Sequence, residues 1–148
     1  MDRREAVLAV SAFTLAALSA RSAALEDHEH QLHMVSGTAR YQAILEAAGA
    51  CVAKGQACLA HCLVLLGGGD KSLGDCAQAV NQMLAACGAL QSLAAQASPL
   101  VGSMAKVALD ACKDCQKACR PHAAKHAECK SCMESCAECI KQCEALAT

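Results

Sequence analysis

Cys129-Lys-Ser-Cys132-Met-Glu-Ser-Cys136-Ala-Glu-Cys139-Ile-Lys-Gln-Cys143 is the stretch on which the fold turns. Its five cysteines recur at steps of 3, 4, 3 and 4, the rhythm that keeps side chains on one face of an α-helix. At 100° per residue they occupy an arc of about 80° over a length of roughly 21 Å. A packed helix usually carries leucine along such a stripe; this one carries sulfur.

The same substitution of sulfur for leucine recurs upstream. From about residue 39 to 66 a helical pattern places Cys51, Cys58 and Cys62 within an arc of about 40°. Gly67-Gly68-Gly69-Asp70 breaks it, and Ser72 to Asp75 resembles a capping box with Asp in place of Glu. A second helix over about 72–96 sets Cys76, Met83 and Cys87 on one face. Ser98 and Pro99 then read as a cap and a first helical position. The third helix, about 99–120, aligns Met104, Cys112, Cys115 and Cys119, and Arg120-Pro121 ends it. The fourth runs over about 122–147 and carries the opening stretch. Four long helices with short connections predict an all-α, antiparallel up-down-up-down four-helix bundle over residues 39–148, with a cysteine-lined core. Cys62, Cys76, Cys119, His122 and His126 are expected toward one end of the bundle. Cys143 and Met104 belong at the other, with Cys51 and Cys87 at similar depth between them.

Ahead of the bundle, Arg3-Arg4 precede an apolar run from Ala6 to Leu18 and a small-residue string ending at Ala24. The run is short of the ~20 residues that span a bilayer, so residues 1–24 read as a twin-arginine-like signal peptide. That places the protein in the periplasm or otherwise outside the cytosol. A retained amphipathic helix on a cytosolic protein is the alternative. Residues 25–38 form a polar lead-in with His28, His30, His33 and Met34, either a solvated segment or a peripheral metal-capture site.

Composition excludes several functions. A net charge of −1 with one Phe, one Tyr and no Trp gives no basis for binding nucleic acid. Thirteen cysteines cannot all close into disulfides within the chain. Helical i,i+3 and i,i+4 neighbours have Cβ atoms about 5–6 Å apart, beyond the roughly 3.5–4.5 Å of a disulfide. No thiol is set apart from the others by a base-orienting motif, which leaves no candidate catalytic cysteine.

Metal binding remains. Zinc favours four ligands, usually drawn from knuckles and loops, and iron-sulfur runs wrap as loops that commonly end in Cys-Pro. Here the periodicity stays helical and no proline follows Cys143. Uncompensated thiolates in a dry core are prohibitive. A monovalent ion at about one per thiolate cancels their charge, and soft sulfur ligands select Cu(I). The reading is the binding of multiple Cu(I) ions, roughly one per cysteine, by a protein that is not an enzyme. The ligands are Cys51, Cys58, Cys62, Cys76, Cys87, Cys112, Cys115, Cys119, Cys129, Cys132, Cys136, Cys139 and Cys143. His33, Met34, His61, Met83, Met104, His122 and His126 are accessory candidates, although His61 lies about 60° off its cysteine stripe. An iron-sulfur or zinc-binding structural or redox protein is the alternative.

Four cysteine-lined helices, the twin-arginine-like leader and the run Cys129 to Cys143 resemble the bacterial copper storage proteins, especially the exported type. The resemblance covers roughly Ala39 to Thr148. It implies a bundle filled with Cu(I), a homotetramer, and copper held for client enzymes such as a methane-oxidising one, with a copper chaperone as a further partner.

Overall fold

A computed structural model describes residues 39–146. Four α-helices make up the bundle: α1 Gln42–Gly67, α2 Gly74–Ala95, α3 Val101–Cys119 and α4 Ala127–Leu146, with a 3₁₀ turn at Lys71–Leu73 before α2. α1 lies against α2 and α4, and α3 lies against the same two. This is the square arrangement that short antiparallel connections impose, and the expected all-α bundle is observed. The leader and the lead-in, with His33 and Met34, lie outside the described residues.

The helix ends differ from the sequence expectation for local reasons. α1 closes with Gly69 at φ 96°, a left-handed conformation that glycine adopts without steric cost. Asp70 then does the capping that Ser72 and Asp75 were expected to do. Its carboxylate accepts from the Ser72 amide at 3.0 Å and the Ser72 hydroxyl at 2.7 Å. Ser98 does accept a bond from the Leu100 amide, at 3.2 Å, but Pro99 and Leu100 stay in the turn and α3 starts at Val101. The largest shift is at α4, expected from about 122 and beginning at Ala127. Around Pro121 the chain makes successive turns, with amide bonds from His122 to Cys119 and from Lys125 to His122. The His126 carbonyl then receives the Lys130 amide and opens the helix.

Large aliphatic side chains are few in the core and unevenly placed. Ile44, Leu73, Val80, Met83, Leu90 and Val101 are buried, and all but Val101 belong to α1, α2 or the turn between them. α4 buries only its five cysteines. Gly55 sits where the sulfur stripe of α1 skips a turn, and a Cβ there would lie 2.6 Å from Met83 Cε. The absent side chain is what lets Met83 enter the axis between Cys51 and Cys58.

Candidate metal centre

Heptad-like spacing aims each cysteine stripe at the bundle axis, and all thirteen thiols are free and 0 % exposed. Twelve of them, all but Cys143, form four groups within each of which the sulfurs lie within 4.8 Å of one another. Cys51, Cys87, Cys112 and Cys139 make a layer with one thiol from each helix. Cys58, Cys62, Cys76 and Cys129 make a second set of four, toward the α1–α2 and α3–α4 connections. Between them lie Cys58 with Cys119 and Cys132, and Cys115 with Cys132 and Cys136. Cys136 also interacts with Cys112 and Cys51, joining the first layer to the rest. Cys143 extends the column at 4.0 Å from Cys139.

The closest sulfurs belong to different helices: Cys76 and Cys119 at 3.3 Å, Cys87 and Cys112 at 3.5 Å, Cys115 and Cys132 at 3.6 Å. Pairs along one helix are wider, with Cys115–Cys119 and Cys139–Cys143 both at 4.0 Å. The sites are therefore made mainly across the bundle. They offer three or four sulfurs each.

Crowding splits the thiols by role. A bond from Cys119 pulls the Cys76 thiol well below its ordinary range, as Cys112 does for Cys139 and Cys115 for Cys132. Others are pushed up: Cys87 and Cys136 by bonding to Cys112, Cys119 by bonding to Cys115. At the connection end burial dominates, raising Cys62 to about 11 and Cys129 to about 12 from 9.0. These two remain protonated near neutral pH, so an incoming cation must displace their protons.

The two ends of the column differ. Toward Cys143 it is covered by Ile44, Leu90, Ala94 and Val101, all buried. Toward Cys62 it meets imidazoles: His61 Nε2 and His126 Nδ1 are 2.9 Å apart, one donating and the other accepting. His122 lies further out, its ring 6.4 Å from that of His126. Glu128 holds the opposite side of His61, with Oε2 3.6 Å from Nδ1. The structure thus brings His61 to His126 despite its position off the α1 stripe, because that flank faces the α3–α4 connection. Glu128 was not anticipated as part of this cluster; its place directly before Cys129 was the available signal. Met83 is fully buried in the thiol axis, while Met104 is half-buried and packs against the core.

A folded four-helix bundle with an unbroken internal column of free thiols is a protein built to hold soft metal. The chain belongs to the copper storage protein family, whose model matches residues 37–148. That is a family of storage proteins rather than catalysts. No curated protein matches the chain closely enough to count as a relative.

Proposed function

We propose that this protein stores and buffers Cu(I) at a capacity of roughly one ion per cysteine, about a dozen per chain, with all thirteen thiols as ligands. The observation that carries the reading is the sharing of ligands: Cys58 and Cys132 each belong to two groups, which suits sulfurs that bridge ions. Bound copper is released to copper enzymes or withheld as detoxification, and the bundle performs no catalysis. His61 and His126, with His122 outside them, are the accessory site through which ions reach Cys62 and Cys129. Met83 contributes a thioether within the column, and Met104 lies near its apolar end. The leader directs export from the cytosol, His33 and Met34 act as outlying capture groups, and the chain assembles as a homotetramer.

Anaerobic titration of the reduced protein with Cu(I), against a competing chelator and with helicity followed in parallel, tests this. The expected result is a colourless complex that saturates near a dozen ions without gain of helix, releasing protons as it fills. Saturation below about four ions, or an unfolded metal-free state, would sink it. One observation favours a second reading. The layer of Cys51, Cys87, Cys112 and Cys139 has the ligand number of a structural zinc site, where Zn–S bonds of about 2.3 Å set sulfurs roughly 3.8 Å apart. Zinc occupancy at that layer alone would appear in the same titration as stoichiometric retention of one Zn²⁺ and a low copper capacity.

A further inference from the structure

The inward stripe of α1 steps by 4, 3 and 4 through Cys51, Gly55, Cys58 and Cys62, with glycine where one thiol would fall. α2 steps the same way through Cys76, Val80, Met83 and Cys87, with cysteine only at its ends. The two helices are antiparallel neighbours, so these gaps face each other. Cys62 meets Cys76 at 3.9 Å, Cys51 shares a layer with Cys87, and a Cβ on Gly55 would lie 2.6 Å from Met83 Cε. Between the two groups of four thiols the α1–α2 hairpin therefore contributes no further cysteine. The other hairpin is unbroken there, with Cys115 and Cys132 3.6 Å apart and Cys136 in the same group. The middle of the column is one-sided: three thiols from α3 and α4, and from α2 one thioether, fully buried.

Building on the storage reading, we propose that Met83 is a Cu(I) ligand whose level is a crossing between two stores, one at the imidazole end and one at the Cys143 end. A thioether is soft enough for Cu(I) but brings neither charge nor proton. An ion at this level has fewer anionic partners than one within either group of four thiols. It is held less tightly, which suits passage rather than keeping. Leucine would fill the same space and would leave the α1–α2 wall with no ligand at all. Gly55 is the positioning residue. Even a methyl group there would collide with Met83 Cε at 2.6 Å and Leu84 Cδ2 at 2.9 Å. Glycine inside a helix costs about 0.5–1 kcal/mol relative to alanine, so the room for this one side chain is kept against helix propensity.

Selenium in place of sulfur tests the ligand directly. The full chain made with selenomethionine and loaded anaerobically with Cu(I) is expected to show a Cu–Se scattering path at the selenium absorption edge. Met83→Leu, which conserves volume, should lose most of that path. Release of copper to excess chelator should be biphasic in the wild type, the fast phase coming from the imidazole end. In Met83→Leu the slow phase should lengthen by about tenfold relative to the fast one. Gly55→Ala, which displaces the thioether without removing it, should weaken the Cu–Se path and slow the same phase. A wild type without a Cu–Se path overturns the proposal with no variant needing to fold. So does release in a single phase, or a Met83→Leu protein that keeps the wild-type spectrum or the wild-type slow phase. Capacity near a dozen ions with any of these results counts against Met83 alone, whereas capacity below about four ions overturns the storage reading and this role with it.

Discussion

The α1–α2 hairpin and the α3–α4 hairpin fold into one bundle on different terms. The first contributes five thiols and most of the large aliphatic core, among them Ile44, Leu73, Val80 and Leu90. The second contributes eight thiols and, among large buried aliphatics, only Val101. Burying an aliphatic side chain is worth about 1.5–3 kcal/mol, whereas a thiol is a small hydrophobe. The metal-free fold is thus carried chiefly by one hairpin and the proposed ligand set chiefly by the other. α4, which buries nothing but cysteine, is the member that metal should fasten most.

Emptying α4 of sulfur would test this division between the hairpins most severely. Every one of the four thiol groups contains Cys129, Cys132, Cys136 or Cys139. Replacing all five α4 cysteines by alanine is therefore expected to cut Cu(I) capacity from about a dozen to fewer than about four ions, although eight thiols remain. Chelator-competition titration reads this directly. A capacity that fell only in proportion to the thiols removed would mean that the groups act independently.

A single truncation in each hairpin should separate fold from cargo. Leu90→Ala is expected to destabilise the metal-free protein by about 3 kcal/mol with copper capacity retained. Cys136→Ala should cost about 1 kcal/mol or less in stability and lower the capacity. Urea denaturation of the reduced apoprotein, paired with titration, distinguishes the two. Equal losses of stability would erase the distinction between the hairpins.

Alkaline pH should act on the end where the hairpins meet through Cys62 and Cys129. Both thiols are raised by burial, from 9.0 to about 11 and about 12. In the unfolded chain they ionise at lower pH than in the fold, so their neutral form favours folding. Their contribution is fully present below about pH 9 and is lost as pH rises toward about 11–12. Thermal denaturation of apoprotein between pH 8 and 11 should show a falling midpoint, and Cys62→Ala should blunt the fall.

The smallest effect concerns the link between the hairpins. Ala97 ends α2 at φ 49°, with the Ser98 amide bonded back to the Leu93 carbonyl at 3.0 Å. This left-handed position favours glycine. Ala97→Gly should stabilise the apoprotein by about 0.5–1 kcal/mol in the same denaturation assay, with no change in copper capacity.

The bundle was legible because its marker is unusual. Cysteine at 3–4 spacing reports the inward face of α3 and α4 as clearly as leucine would, and short connections then dictate antiparallel neighbours. Depth followed from topology, which is why Cys51 with Cys87, and Cys62 with Cys76, were expected together. What could not be read was the rotation and register of one helix against another. Whether Cys139 faces Cys87 or Cys112 depends on packing across the axis, as does the meeting of His61 with His126. Helix ends failed for a nearer reason. Asp70 and Ser72 competed for one cap, and Pro121 left several turn geometries open.

The shared sulfurs Cys58 and Cys132 have a consequence for traffic. An ion passing from one group to the next can keep a bond to the common thiol while it exchanges the others, so it is never bare. With aliphatics closing the Cys143 end and imidazoles at the other, such a column is a queue with a single door. On the proposed storage reading, ions nearest His61 would leave first and those at Cys143 would be the deepest reserve.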